Sequence, residues 1–216
     1  MSEQVGVLVF AKAPVPGTVK TRLAPILGAE GAARLYRRMA RQCLETALAA
    51  EIGPVELWCA PDTAHPWFAS LAARYGLRLV PQRGRDLGER MHTALADALR
   101  RHRHAILVGT DCPALCPEDL QAARDGLNGD MDAVFCPVED GGYALVALRQ
   151  VAAEIFEDIA WSTAGVMAVT RRRLRALEWR WTEIPLRWDV DQPEDLRRLR
   201  QDPRLAHLLE EVADHD

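Results

Sequence analysis

The sequence lacks the features of a membrane or exported protein. None of its apolar runs approaches the ~18 residues that a membrane helix needs, and the N-terminus has no cationic lead followed by a long apolar segment, which a secretory signal requires. The 216 residues are 49% apolar and 27% charged, as in an ordinary globular protein. We therefore expect a soluble, cytoplasmic protein with no membrane insertion.

Paired cysteines and basic blocks are also missing. The five cysteines are odd in number and none belongs to a CxxC pair, which favours reduced, buried thiols over disulfides or a zinc site. The net charge is −4, and the nearest approach to a basic block, 100–104, is typical of a solvated helix end. Nucleic acid is therefore not expected as a partner.

Two common nucleotide-binding fingerprints are absent. The sequence contains no GxGxxG, so a Rossmann dinucleotide site is not indicated. The Walker loop, GxxxxGK[ST], needs a lysine directly after a glycine, whereas Thr18 and Val19 separate Gly17 from Lys20. Any phosphate site must therefore be built in another way.

What the sequence does have is an alternation of short apolar runs with helical patterns through residue 130. This pattern predicts an α/β fold of three layers, with a mostly parallel twisted sheet covered by helices on both faces. The segment Pro137–Gly142 joins two strands and predicts a small antiparallel excursion. With no repeat or linker, one domain is expected over 1–216.

The individual elements can be assigned from the same patterns. Strands are predicted at Val5–Ala11, Val55–Ala60, Leu77–Pro81, Ala105–Gly109, Ala133–Cys136 and Tyr143–Leu148, with a weaker one near Trp181–Pro185. Helices are predicted at 28–50, 65–75, 88–102, 117–127, 164–177 and 193–201. Because open α/β sheets bind ligands at the carboxyl ends of their strands, the loops after the strands are the candidate site.

The loop after the first strand, 11–25, is rich in proline and cations. It contains Lys12, Lys20 and Arg22, with Gly17 between them. A lysine point charge and the planar fork of an arginine together suit a polyphosphate. The loop therefore predicts a phosphate site, with exposed salt bridges as the alternative.

Carboxylates follow two later strands. Asp111 ends the run ILVGTD, and Asp189 and Asp191 alternate so that both point to one face of an extended segment. Mg²⁺ and Mn²⁺ commonly take one or two carboxylates plus nucleotide phosphates. Asp111 could instead cap its turn, and Asp191 could cap the next helix. Asp189 has no such alternative and is the favoured second ligand.

Three further segments are candidates for substrate contact. In EDGGYAL, Gly141 and Gly142 permit close approach of the backbone, and Asp140 could act as a base, although a tight hairpin would use the same residues. In GRDLGERM, Asp86 is also a candidate helix cap. Trp161 could stack on a substrate or belong to the start of the next helix.

Taken together, six motifs resemble those of a known bacterial glycosyltransferase family. They are FAKAPVPGTVKTRLAP, DLGERM, LVGTDCPAL, PVEDGGYALVAL, WST and DVDQPEDL. The family is associated with radical-SAM proteins or arsenosugar biosynthesis, and the resemblance covers about residues 5–200. It implies membership of the nucleotide-diphospho-sugar transferase superfamily, with a GT-A-like fold. The stretch VKTRLAP is also similar to the phosphate loop of the more distant phospholactate guanylyltransferases.

The resemblance implies roles for individual residues. The phosphate-binding residues would be Lys12, Gly17, Lys20 and Arg22. The metal ligands would be Asp111, standing in for a DxD motif whose second aspartate is replaced by Pro113, together with Asp189 or Asp191. The substrate-binding residues would be Asp86, Arg90, Gly141, Gly142, Tyr143 and Trp161. The catalytic residues would be Asp111, Asp140 and Lys20.

The expected reaction is the metal-dependent transfer of a sugar from a nucleoside diphosphate sugar to a small-molecule acceptor. Mg²⁺ or Mn²⁺ and the cationic loop would stabilise the diphosphate leaving group. The alternative is nucleotidyl transfer, in which an NTP is attacked at its α-phosphorus and releases pyrophosphate. A non-catalytic nucleotide sensor is disfavoured, because a decayed site would be expected to lose mutually repelling carboxylates.

Overall fold

A computed structural model describes residues 5–210, so the domain expected over 1–216 extends beyond the described part at both ends. Its centre is a seven-stranded sheet of order β3-β2-β1-β4-β6-β5-β7. The strands are β1 Val5–Lys12, β2 Val55–Ala60, β3 Arg78–Pro81, β4 His104–Val108, β5 Ala133–Pro137, β6 Tyr143–Leu148 and β7 Trp181–Glu183. Every predicted strand is present.

Within residues 5–210, six α-helices cover the sheet. They are α1 Ala24–Ala49, α2 Pro66–Tyr75, α3 Leu87–Leu99, α4 Pro117–Asn128, α5 Val166–Ala176 and α6 Asp195–Gln201. The predicted helices are all confirmed, but α1 begins four residues earlier than predicted. Gly28, at φ 68° and ψ 165°, interrupts α1 at the predicted start. Because α1 begins at Ala24, its first turn follows directly on the loop after β1.

The sheet is mostly parallel. β1 pairs in parallel with both β2 and β4, and β2 with β3. β6 is antiparallel to both of its neighbours, β4 and β5, while β7 pairs in parallel with β5. The antiparallel excursion is thus confirmed, and its returning strand lies inside the sheet.

Side chains alternate across β1 and divide the core into two layers. Val7 and Val9 pack on the face covered by α1 and α4, whereas Leu8 and Phe10 pack on the face covered by α3 and α5. In α1 the predicted stripe is buried, at Leu35, Met39, Cys43 and Ala47. Burial of both faces fixes the strand ends, and with them the loops at the carboxyl edge.

The cysteines behave as reduced, structural residues. All five are free, and only Cys116 is partly exposed. Burial raises the pKa of Cys43, Cys59 and Cys136 to about 12, so these thiols stay protonated at neutral pH. Within residues 5–210, no helix is both long and apolar enough to cross a membrane.

Candidate functional site

A cavity of about 610 Å³ opens at the carboxyl ends of β1 and β4. Most of the predicted site residues line it: Lys12, Lys20, Arg22, Arg90, Asp111, Asp140, Gly142, Tyr143, Trp161, Asp189 and Asp191. They come from six separate stretches of the chain, which the sheet brings to one edge. The structure thus assembles the cationic loop and the carboxylates in a single cleft.

Three predicted residues lie outside the lining of this cavity. Gly17 has φ 78° and shapes the turn of the first loop. Asp86 caps α3, since its Oδ1 accepts the backbone N–H of Glu89 at 2.8 Å. Gly141 has φ 90°, and a Cβ there would lie 2.2 Å from the carbonyl oxygen of Ala164. These residues shape the backbone around the cleft.

Lys20 is the most deeply held cation of the cleft. Its backbone is left-handed, with φ 48° and ψ 41°, and its side chain is only 4% exposed. The Nζ atom lies 2.5 Å from Oδ1 of Asp111 and 3.9 Å from Oδ1 of Asp191. A buried ammonium needs such partners, because desolvation without them is costly. The two carboxylates therefore converge on one positive charge.

Arg22 adds a second cation to the same group, since its guanidinium donates to Oδ2 of Asp191. The possibility that Asp191 caps the next helix was wrong. That helix, α6, begins only at Asp195, whose carboxylate accepts the backbone N–H groups of Asp191 and Gln192 at 2.8 and 2.6 Å. The backbone of Asp191 is thus fixed, and its carboxylate faces the cleft, where it pairs with Arg22 and Lys20.

Asp189 differs from the other two carboxylates. Within residues 5–210 it forms no ion pair with a cation, although it lines the cleft. Burial, reinforced by the negative charges of Asp140 and Asp111, raises the pKa of Asp189 to about 6. The sequence favoured Asp189 as the partner of Asp111, whereas Asp191 is the residue that shares a cation with Asp111.

Tyr36 is a site residue that the sequence did not reveal. Its hydroxyl oxygen accepts the backbone N–H of Lys12 at 2.7 Å and lies 3.0 Å from Oγ1 of Thr110. Burial raises the pKa of Tyr36 well above its ordinary value, so the hydroxyl remains neutral. Tyr36 thereby ties the loop after β1 to the loop after β4. It carries no charge, and its neighbours in the sequence suggested only a core helix.

Gln82 is a second residue that sequence reasoning missed. Its Nε2 donates to the carbonyl oxygens of Ala11 and Trp58 at 3.3 and 2.9 Å. Only the NH₂ end of an amide can face two acceptors, so this network fixes the side-chain orientation. Gln82 lines the cleft directly after the end of β3.

One wall of the cleft is aromatic. The ring of Tyr143 lies edge-on to those of Phe135 and Trp161, with centroids 5.1 and 6.3 Å away. Gly88 leaves room for this wall, because a Cβ there would lie 2.8 Å from Nε1 of Trp161. Within residues 5–210, neither the Tyr143 hydroxyl nor Nε1 of Trp161 has a hydrogen-bond partner. The wall thus carries two polar groups that no side chain or backbone group in this part of the chain satisfies.

A second cavity of about 370 Å³ adjoins the first and shares Asp140, Asp189, Asp191 and Arg22 with it. The two cavities also share the hydroxyl-bearing residues Ser162 and Thr163, and the second is lined in addition by Glu139 and Asp195. The cleft is thus basic on the side of β1 and acidic on the side of the β5–β6 hairpin. Two substrates of different charge could occupy it together.

A metal ion would find only part of its ligands here. Within residues 5–210 no cluster of three or more His, Cys, Asp or Glu side chains could hold one. Asp111 and Asp191 do offer oxygen atoms to one shared cation, the ammonium of Lys20. Mg²⁺ typically takes one or two carboxylates and completes its shell with water and substrate phosphates. The donor set therefore fits a cation that arrives with a nucleotide.

Several solved structures share this fold at low sequence identity. A CMP:2-keto-3-deoxy-manno-octonic acid synthetase complexed with CTP is 14% identical, with a TM-score of 0.57 and coverage of 91% of this chain and 97% of that one. Rv0371c from Mycobacterium tuberculosis H37Rv in complex with manganese is 20% identical, with a TM-score of 0.53 and coverage of 92% and 99%. At these identities the likeness concerns the fold alone. No curated protein matches the sequence.

A closer likeness exists to a crystal structure from Desulfovibrio desulfuricans G20, described as a "putative nucleotide-diphospho-sugar transferase". It is 31% identical, with a TM-score of 0.83 and coverage of 94% of this chain and 90% of that one. The model of the family described as "Uncharacterized protein conserved in bacteria (DUF2064)" matches residues 43–163, which is more than half of the chain. The chain therefore belongs to this bacterial family, DUF2064.

Proposed function

We propose that the protein is a divalent-metal-dependent transferase that moves a sugar from a nucleoside diphosphate sugar to a small-molecule acceptor. The observation that carries the proposal is the meeting of Lys20, Arg22, Asp111 and Asp191 at the carboxyl ends of β1 and β4. The likeness to the Desulfovibrio structure, described as a putative transferase of this kind, supports it.

The donor's diphosphate would lie on the basic side of the cleft. Lys12, Lys20, Arg22 and Arg90 all line this cavity. Fixed positive charges near a departing diphosphate stabilise the negative charge that develops on it, and they need no reorganisation during the reaction. Tyr36 would hold the Lys12 backbone in place for this role, through its hydrogen bond to the Lys12 N–H.

Asp111 and Asp191 would hold the metal ion together with the donor's phosphates. Mg²⁺ or Mn²⁺ bound there would act as a Lewis acid on the diphosphate. The structure with manganese of Rv0371c, which shares the fold, is consistent with such an ion. Asp189, the other candidate ligand, lies close enough to Asp111 for their charges to interact.

The acceptor would bind at the acidic end, near the β5–β6 hairpin. Asp140 lines both cavities, and its Oδ1 accepts the backbone N–H of Gly142 at 2.8 Å, which anchors the carboxylate. We propose that Asp140 takes the proton of the acceptor's hydroxyl. The unsatisfied polar atoms of Tyr143 and Trp161 would bind oxygen atoms of the sugar or acceptor.

A second candidate function is nucleotidyl transfer with release of pyrophosphate. The observation in its favour is the count of cations: Lys12, Lys20 and Arg22 lie in one loop, which suits a triphosphate as well as a diphosphate. Asp111 is followed by Cys112 and Pro113, so this segment supplies only one carboxylate of the pair. The other, Asp191, comes from a distant segment of the chain.

Product analysis separates the two functions. The full-length protein is incubated with Mn²⁺ or Mg²⁺ and a panel of NTPs and of UDP-, GDP- and dTDP-sugars, with candidate small-molecule acceptors. Metal-dependent release of a nucleoside diphosphate supports sugar transfer, whereas pyrophosphate release from an NTP supports nucleotidyl transfer. Binding of a nucleotide without turnover of any donor would contradict both and favour a sensor.

Thermal stability identifies the donor beforehand. A ligand at a hundred times its dissociation constant stabilises the folded state by about 2.7 kcal/mol, which shifts the melting temperature measurably. The correct sugar nucleotide should give a larger shift with metal than its NTP does. If no member of the panel shifts the melting temperature of the folded protein, the proposed phosphate site is wrong.

A further inference from the structure

The most deeply buried cation of the cleft lies inside the metal site proposed above. The ammonium of Lys20 is 2.5 Å from Asp111 and 3.9 Å from Asp191, and the side chain is almost wholly buried. The Asp111 side chain is 59% exposed, so its opening toward the cavity is the route by which another cation would reach it. Lys20 thus occupies the space between the two oxygen ligands.

We propose that Lys20 is a built-in counter-ion of the metal site, which holds the position between Asp111 and Asp191 until a nucleotide brings the divalent cation. The inference rests on the proposed function, because it presupposes that metal site. It goes further by assigning an order: nucleotide and metal bind as a pair, and neither carboxylate offers a good metal site alone.

Electrostatic repulsion requires that Lys20 leave its position when the metal ion binds. A divalent cation bound to Asp111 would lie within a few ångströms of the Lys20 ammonium, and like charges at that range repel strongly at a partly buried site. Lys20 must then leave the carboxylate. A phosphate group in the same cavity gives it a new anionic partner, so each charge stays paired throughout.

Arg22 cannot play the same part, although it also pairs with Asp191. Its side chain is 56% exposed and that of Asp191 is 40% exposed. Ion pairs between exposed groups contribute little, because water and salt screen them. Lys20, at 4% exposure, is shielded, so its hold on the carboxylates is the one that a metal ion must overcome.

The test measures binding of Mn²⁺ alone to the nucleotide-free, full-length protein by electron paramagnetic resonance. We expect the variant Lys20→Met to bind Mn²⁺ about tenfold more tightly than the wild type, since the competing charge is gone. Lys20→Gly is the second variant: glycine adopts the left-handed backbone of this position without strain, so it keeps the loop folded. It should tighten Mn²⁺ binding likewise.

The matched control is Lys12→Met, which removes the same charge from the same cavity. Lys12 is exposed and forms no ion pair within residues 5–210. Its removal should change the Mn²⁺ affinity by less than about threefold, because the charge is screened. Circular dichroism serves to check that each variant is folded.

Two outcomes would overturn the inference. One is that neither Lys20 variant binds Mn²⁺ more tightly than Lys12→Met does; the other is that both bind it more weakly than the wild type. Mn²⁺ binding to the wild type in the presence of the nucleotide panel distinguishes failure of this inference from failure of the proposed function. If nucleotide-dependent binding is present but the Lys20 variants gain nothing, only the inference fails. If the wild type binds no Mn²⁺ with any nucleotide, the proposed metal dependence fails.

Discussion

At the scale of single residues, the cleft depends on a few charges with defined partners. Asp111 is the clearest case, because it pairs with the buried Lys20 and faces the cavity. Its neighbour Cys112 is buried, and its Sγ donates to the carbonyl oxygen of Trp188. The loop after β4 is therefore held to the segment before Asp189 by a side chain next to the site carboxylate.

Replacing Asp111 by asparagine keeps the shape but removes the charge. We expect Asp111→Asn to lower turnover of the donor by about 100-fold or more, because both the metal and Lys20 lose their carboxylate. Release of nucleoside diphosphate under saturating donor measures the loss. Asp130→Asn is the control: its side chain is 82% exposed, outside the cavity, and its activity should match the wild type. Equal losses in both variants would contradict the role of Asp111.

Removing the Tyr36 hydroxyl should lower both the stability of the fold and the affinity for a nucleotide. Tyr36→Phe leaves the Lys12 N–H and the Thr110 hydroxyl without their shared partner. We expect a loss of about 1–2 kcal/mol in the free energy of unfolding, measured in urea, and weaker nucleotide binding. Tyr75→Phe removes a partly exposed hydrogen bond to Glu45 and should cost less than about 1 kcal/mol. An unchanged nucleotide affinity in Tyr36→Phe would show that the loop after β1 keeps its conformation without the Tyr36 hydroxyl.

His104 is buried completely, and within residues 5–210 neither ring nitrogen has a hydrogen-bond partner. Burial, with the charges of Arg103 and Arg149, lowers its pKa from the ordinary 6.5. As the pH falls, the unfolded chain therefore protonates His104 at a higher pH than the folded protein does. The free energy of unfolding is thus retained above about pH 6.5 and decreases as the pH drops below that value.

The variant His104→Gln tests this pH dependence. Urea unfolding from about pH 7.5 to about pH 5 should show a shallower loss of stability in the variant than in the wild type. Both proteins lose the same contributions from other titrating groups, so the difference between them isolates His104. Parallel curves would contradict a lowered pKa.

At the scale of elements, the segment that carries Asp189 and Asp191 is anchored from two sides. Arg187 forms two hydrogen bonds to the carboxylate of Asp119, at the start of α4, with lengths of 2.8 and 2.6 Å. Its backbone N–H donates to Pro137, at the end of β5. The position of both site carboxylates therefore depends on a helix and a strand far from them in sequence.

This anchor gives a second pH dependence. Burial alone raises the pKa of Asp119, but the hydrogen bonds from Arg187 and the Cys116 N–H outweigh it and hold the pKa below 3.8. A lowered pKa stabilises the fold above the unfolded-state value, and that contribution is lost as the pH falls through the folded-state value. Urea unfolding below about pH 5 should therefore show a steeper loss in wild type than in Asp119→Asn. Equal slopes would contradict the anchor.

Sequence patterns predicted these elements well and the anchor not at all. Strands such as Val55–Ala60 and Tyr143–Leu148 are present with the predicted bounds, because apolar periodicity reports burial directly. The cationic loop and Asp111 were found because charged residues follow buried strands. Tyr36, Gln82 and the Asp119–Arg187 pair act through contacts between distant parts of the chain, and no local pattern encodes which residues the fold will bring together.

At the scale of the whole molecule, both faces of one sheet are buried by helices, and every strand pairs with a neighbour. We propose that the chain forms one nucleotide-diphospho-sugar transferase-like domain. It should then unfold in a single cooperative transition. Tryptophan fluorescence and far-ultraviolet circular dichroism should give the same midpoint in urea. Separate midpoints would show that the two ends of the sheet unfold independently.

The antiparallel course of β6 has a consequence for how such proteins can diverge. The end of β5 and the start of β6 both lie at the cleft, so the hairpin between them reaches the acidic end without any crossover helix. The basic end is built on the loop after β1, a strand that hydrogen-bonds to β4. Insertions or replacements in residues 138–142 would thus change which acceptor binds. The strands would keep their register, and the donor-binding loop after β1 would keep its position. Relatives with different acceptors are expected to differ most in this short hairpin.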